Sequence, residues 1–335
     1  MTRAIVLVGG FGTRLRPLTN STPKQMLPIV NRPMIEHVLE HLEAHGITEA
    51  VLSLGFRPDA FREAYPGSRH GGVDLAYAIE PEPLDTAGAI RFAARHAGID
   101  EPVVVCNGDV ITDLDVSDLI ARHEAAGAAA TIALHRVADP SAFGVVPTDP
   151  DGRVQAFVEK PERGTEPTDA INAGTYVLEP SVIDRIADVG RVSIERVTFP
   201  SLVETGELYA FVSNTYWIDT GTPANYLQVQ LDLLDGVRGE AVPGVHDRSM
   251  VSPDAQVKRS VIGEGVAVGA GASVADSVVM AGATIGDGAV VDTSIVGPGA
   301  RIGAGAEVTG LSVIGLEVDV AAGETLDGAR RPEPE

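Results

Sequence analysis

The chain has 335 residues, 44% of them hydrophobic, and a formal net charge of −22. That length gives room for two domains with cores of their own, while the acidic balance excludes nucleic acid and an anionic membrane as main partners. One cysteine, Cys106, excludes an internal disulfide and fits a reducing cytoplasm, and no apolar run approaches membrane length.

Ala4 to Val8 is an apolar run without alternation, the pattern of a parallel strand buried on both faces. It starts so near Met1 that no signal peptide is expected. The stretch that follows, VGGFGTRLRPLTNSTPKQMLP from Val8 to Pro28, is the most informative in the chain. Gly9, Gly10 and Gly12 allow a sharp turn and close approach to a ligand, and turn amides can converge on an anion. Arg14, Arg16 and Lys24 add fixed cations to an otherwise acidic protein, which suits a polyphosphate. Neither the Walker A pattern nor G-x-G-x-x-G is present, and a tight strand-to-helix connection with solvated arginines would read the same way.

Further on, Ile35, Val38, Leu39 and Leu42 mark one face of a helix, with Pro33 suited to its first turn. Ala50 to Leu54 reads as a strand and Thr86 to Ala97 as a helix. Val103 to Cys106 reads as a buried strand, making Cys106 a structural thiol. Asp115 caps a helix that carries Val116, Leu119, Ile120 and His123 on one side. The alternation predicts an α/β fold with helices on both faces of a sheet and ligands at the carboxyl ends of its strands.

After Gly236 the texture changes. VRGEAVPGVHD has the composition of a linker, and small apolar residues then recur from Ile262 to Val320, mostly every six residues. Ser260, Ser277, Ser294 and Ser312 superimpose a period of seventeen or eighteen. Three hexads per coil predict a parallel β-helix. Its open coil ends and flat faces suit self-association, so a homo-oligomer formed through it is expected.

Several motifs carry chemistry. Glu80, in EPEPLDTAGAI, could accept from the adjacent N1–H and N2–H donors of guanine; a solvated loop acid is the equal alternative. Asp109, at the end of VVVCNGD, is placed as a Mg²⁺ ligand that shares the ion with phosphate oxygens, although an isolated Asp there would more simply cap a turn. FVEKP sets Glu159 beside Lys160; on a continued strand they would face opposite ways, but at a strand end before Pro161 both can reach a ligand. Asn172 and Gly174 offer an amide for a hydroxyl and a glycine where a side chain would collide with a sugar. Asp219, in WIDTGTPANY, stands just before a helix capped by Thr222 with Pro223 in its first turn. The eight histidines are read as scattered, which argues against zinc.

The loop GGxGTRLxPLTxxxPKxMLP resembles the signature of the sugar-1-phosphate nucleotidyltransferases, and the later motifs follow in that family's order. SIERVTFPSLVETGELYAF followed by WIDTG is most similar to members acting on mannose 1-phosphate and GTP that carry a hexapeptide-repeat tail. The resemblance implies a Rossmann-like mixed or parallel sheet followed by a left-handed β-helix. It implies that Arg14, Lys24 and Lys160 are catalytic, and that Gly9, Gly10, Gly12, Thr13, Glu80, Thr86, Ala87 and Gly88 bind nucleotide. Gly144, Glu159, Lys160, Asn172 and Gly174 would bind the sugar phosphate, and Asp109 and Asp219 would hold Mg²⁺. Asp85 stands where the family's L-G-T-A-G has a glycine. The expected division is a catalytic domain at 1–236, a linker at 237–250, the β-helix at 251–327 and a disordered tail at 328–335. Rivals are uridylyl-, thymidylyl- or adenylyl transfer, and a silent subunit that binds NDP-sugar; intact Arg14, Lys24 and Asp109 count against the latter. An acyltransferase site in the β-helix is disfavoured, because no histidine follows His246.

Overall fold

A computed structural model describes residues 2–333. The backbone forms two compact units, one of residues 2–10 and 35–217, the other of residues 11–34 and 218–333.

The first unit is built on a ten-stranded mixed sheet. Arg3–Leu7 lies at its centre, parallel to Glu49–Leu54 on one side and to Val103–Asn107 on the other. Ala4, Ile5 and Val6 are fully buried, as a strand covered on both faces requires. Val73–Ile79 continues the parallel part beyond Glu49–Leu54. On the opposite flank Ala170–Leu178 joins Val103–Asn107 antiparallel, and Ala130–Arg136 and Gly144–Val145 follow from it. The helix faces come out as read: Ile35, Val38, Leu39 and Leu42 are buried, and Asp118 N donates to Asp115 Oδ1 at 2.9 Å. Pro33 is an exception. It lies in the two-residue strand Arg32–Pro33, paired with Pro28–Ile29, and the helix starts at Met34.

In the second unit, strands from Met250–Val251 to Arg330–Arg331 stack in three parallel five-stranded sheets, the left-handed β-helix class. The residues that set the six-residue rhythm, Ile262, Val268, Val274, Val279 and Ile285 among them, form its apolar core. Of the tail expected to be disordered from 328, Arg330–Arg331 pairs with Val313–Ile314 instead; residues 334 and 335 lie outside the described part. Segment 11–34 is seated within this unit. Arg330 Nη1 donates to Arg16 O at 3.4 Å, and Asn31 Nδ2 donates to Gly244 O at 3.3 Å. A Cβ added to Gly315 would lie 3.1 Å from Pro17 Cβ. Among the described residues no helix is long and apolar enough to cross a membrane.

Candidate active site

In the first unit, three candidate residues sit at the carboxyl ends of parallel strands: Gly9 after Arg3–Leu7, Asp109 after its neighbour Val103–Asn107, and Glu80 after Val73–Ile79, one strand further across Glu49–Leu54. Gly9 is small because Glu80 lies against it; a Cβ would come 2.9 Å from Glu80 Oε1. Gly10 faces open space. Glu80 Oε1 accepts from Ser53 Oγ at 3.1 Å, and Oε2 accepts from Leu84 N at 3.2 Å. Each oxygen keeps a second lone pair for a further donor.

The segment Thr86, Ala87 and Gly88 is committed to the protein itself. Ala87 N and Gly88 N both donate to Val192 O. Thr86 Oγ1 donates to Glu195 Oε2 at 2.8 Å and accepts from Ile194 N. These donors tie the start of the helix Asp85–His96 to the segment that carries Glu195. Asp85, which stands where the family pattern has a glycine, has φ 62, the left-handed conformation a glycine would take, and its own Oδ1 accepts from Thr86 N at 2.8 Å.

On the antiparallel flank, Gly144 pairs with Glu159 across the strands, and a Cβ on Gly144 would meet the Phe157 ring at 2.7 Å. Lys160 has φ 50, so the chain leaves the strand in a left-handed step and Nζ returns to 3.7 Å from Glu159 Oε1. That step is how two adjacent residues come to one side. Burial first, and then the neighbouring Glu195, raise the Glu159 pKa above the ordinary carboxylate range, with Lys160 and Arg196 opposing. Glu195 itself was not singled out in the sequence; SIER gave it no distinguishing spacing.

Asn172 and Gly174 have an internal role. Asn172 Nδ2 donates to Tyr176 Oη, and Oδ1 accepts from Gly174 N, both at 2.9 Å. The pair closes a bulge where the register shifts between Asn172 and Tyr176. Gly174 has φ 76, and a Cβ would lie 2.5 Å from Asn107 Nδ2. Asn107 and the left-handed backbone are by themselves enough to require a glycine here.

In the second unit Gly12 has φ 61, and a Cβ there would press on Thr19 and on Lys24 Cβ at 3.2 Å. Thr19 Oγ1 donates to Gly12 O at 2.8 Å. This turn brings Lys24, which is buried, beside the start of the short helix Thr13–Leu15. Arg14 is largely exposed and pairs with Asp219 at 3.7 Å. Gly221 N donates to Asp219 Oδ1 at 2.7 Å, leaving the carboxylate in contact with a cation and a backbone amide.

Among the described residues no group of three or more His, Cys, Asp or Glu is placed to hold a metal. The histidines are less scattered than the sequence reading held: His37, His41 and His45 recur every four residues, with the last two rings 4.9 Å apart edge to face. Cys106 is buried, and burial pushes its thiol pKa up to about 12, so it is no nucleophile.

Glycine turns and carboxylates at strand ends of an α/β sheet, with a cationic loop in the second unit, suit phosphate chemistry, and comparison with known proteins gives the class. Residues 3–236 match the nucleotidyl transferase family and residues 241–330 match the GMPPB C-terminal domain. The chain belongs to the nucleotidyl transferase family. Among curated relatives, a mannose-1-phosphate guanylyltransferase of Mycobacterium tuberculosis is 42% identical over 280 residues, 80% of this chain and 77% of the relative. A mannose-1-phosphate guanylyltransferase catalytic subunit beta of Drosophila melanogaster is 38% identical, covering 76% of this chain and 71% of the relative. Among solved structures, HddC from Yersinia pseudotuberculosis complexed with GMP-PN is 31% identical with a TM-score of 0.59, covering 69% of this chain and 98% of that one.

Proposed function

We propose that this nucleotidyltransferase joins GTP and mannose 1-phosphate to give GDP-mannose and pyrophosphate. The observation that carries the reading is the placement of Gly9, Glu80 and Asp109 at the carboxyl ends of strands in one parallel run of the sheet, in a chain 42% identical to a mannose-1-phosphate guanylyltransferase. A phosphate oxygen of the sugar attacks the α-phosphorus in line; the new P–O bond forms as the α–β bridge breaks, and pyrophosphate leaves. Two anions must meet, so positioning and neutralisation supply most of the rate. Arg14 and Lys24 hold the triphosphate and the departing pyrophosphate, and Lys160 holds the attacking phosphate. Gly9, Gly10, Gly12 and Thr13 present backbone to the nucleotide, and Glu80 reads the base through its remaining lone pairs. Thr86, Ala87 and Gly88 shape the nucleotide side through their ties to Val192 and Glu195. Gly144 and Glu159 face the sugar, with Asn172 and Gly174 setting the strand beneath it.

Asp109 and Asp219 are the proposed Mg²⁺ carboxylates. One or two carboxylates completed by phosphate oxygens and water is the donor set this ion takes, and the carboxylates of Asp109, just past a strand end, and Asp219, beside Arg14, are of that kind. When bound, the ion neutralises phosphate charge. Residues 1–236 are proposed to carry the chemistry and the coils at 251–327 to form a homo-oligomer in the cytoplasm.

The test is pyrophosphate release with Mg²⁺, pairing GTP, UTP, dTTP and ATP with mannose or glucose 1-phosphate. GTP with mannose 1-phosphate should lead, and Glu80→Gln should narrow the gap between GTP and ATP. A lead for another nucleotide would leave Glu80 as the brace between Ser53 and Leu84 alone.

A further inference from the structure

One fully buried amide joins two parts of the second unit. Gln230 lies inside the helix Pro223–Leu234, among Tyr226, Leu227, Val229, Leu231 and Leu233. A primary amide in such surroundings is destabilising unless its donor and acceptor are both used. Both are used by one short piece of backbone: Oε1 accepts from Val30 N at 2.8 Å, and Nε2 donates to Pro28 O at 2.9 Å. The Tyr226 hydroxyl donates to the same Pro28 carbonyl. This piece follows the one-turn helix Lys24–Met26 almost directly. It reverses at Val30 and Asn31, with φ 43 and 66, into Arg32–Pro33. A cavity of about 120 Å³ lined by Pro28, Asn31, Gln230, Glu264 and Met280 adjoins it.

The same helix fixes Asp219 at its other end. Asn225 N donates to Thr222 Oγ1, and Asn225 Nδ2 donates to Asp219 O at 2.7 Å. Asp219 in turn holds Arg14. From Asn225 to Gln230 the helix rises about 7.5 Å. One rigid element therefore spaces the Arg14–Asp219 pair from the segment behind Lys24.

We infer that Gln230 is a positioning residue for the triphosphate side of the reaction, acting on Lys24 through Pro28–Val30. The inference rests on the reading of Arg14 and Lys24 as the triphosphate contacts. It is tested by steady-state kinetics of the full chain, comparing Gln230→Leu, Gln230→Glu and Lys24→Met between about pH 6 and pH 8.5. Gln230→Leu should lower kcat/KM for GTP by about 10- to 100-fold, the scale of a ~1 Å misplacement, and leave KM for mannose 1-phosphate within about twofold. Ionised Glu at this position accepts from Val30 N but offers nothing to Pro28 O; protonation restores a donor. Per folded molecule, kcat/KM for GTP of Gln230→Glu relative to wild type should therefore climb as pH falls while that for mannose 1-phosphate does not, which a purely structural role would not produce. Wild-type GTP kinetics in both variants, or a flat pH ratio, beside an impaired Lys24→Met would overturn the inference. An unimpaired Lys24→Met would instead overturn the reading of the site. If the Gln230 variants do not fold, Tyr226→Phe removes one of the two donors to Pro28 O and should give a smaller loss on the same side; an equal loss for both substrates would count against positioning.

Discussion

Lys160 holds a left-handed backbone that costs a non-glycine residue about 1–2 kcal/mol, and that conformation is what returns its ammonium to Glu159. Lys160→Met should keep the fold and lower kcat/KM for mannose 1-phosphate by about 10- to 150-fold, the worth of a hydrogen bond to a charged group. Glu159, its pKa raised by burial and then by Glu195, keeps its proton to higher pH than an ordinary glutamate. As pH falls it loses its capacity to accept from sugar hydroxyls early, so the acid limb of kcat/KM for the sugar phosphate should move to lower pH in Glu195→Gln. Because the substrate's own ionisation is common to both enzymes, the difference between the two profiles reports the side chain. Gly174→Ala should destabilise the protein by about 1–3 kcal/mol, measured by denaturant unfolding, because a Cβ meets Asn107 at 2.5 Å in a left-handed backbone. The need for glycine at 174 was visible in the sequence, but its cause was not, since Asn107 is remote along the chain. Asp85 is the converse: the motif marked the position, and its φ of 62 shows that an aspartate has kept the glycine's backbone.

The serines that opened each hexad group in the sequence are rungs of a buried ladder. Ser277 N donates to Ser260 Oγ at 3.1 Å and Ser294 N to Ser277 Oγ at 3.0 Å, while Ser277 Oγ donates to Ala275 O at 2.6 Å. Between Ser294 and Ser312 the coil has eighteen residues, and Ser312 N turns to Thr309 O instead. Ser277→Ala should leave the buried Ser294 amide without this acceptor and cost about 1–3 kcal/mol, seen as a lower Tm. The coils were legible because each buries the same corner, so a local period reports a repeated contact. The start of the helix Asp85–His96 was legible as a helix end but not in its purpose. Its amides answer to Val192 O, a long-range partner that no local pattern announces.

At the scale of the molecule, the chain's order and its spatial grouping differ. The sequence reads the cationic loop as part of the domain that ends near Gly236, whereas residues 11–34 group with 218–333. The difference arises because Arg16, Pro17 and Asn31 find their neighbours at Arg330, Gly315 and Gly244. Deleting the residues after Gly236 should therefore abolish most of the activity as well as reduce the assembly, with light scattering and pyrophosphate release read on the same sample. An unchanged oligomer would sink the role of the coils in association, and full activity would sink their role as a seat for the loop.

The contact between Arg330 and Arg16 spans 314 residues of sequence, and a ribosome delivers residues in order. At about 5–20 residues per second, the loop leaves the ribosome roughly 15 to 60 s before the last part of its seat exists. A nascent chain stalled before residue 330 should thus carry a finished sheet yet turn over substrate more slowly than the full chain. Full nucleotide chemistry would begin only once residue 330 has been made.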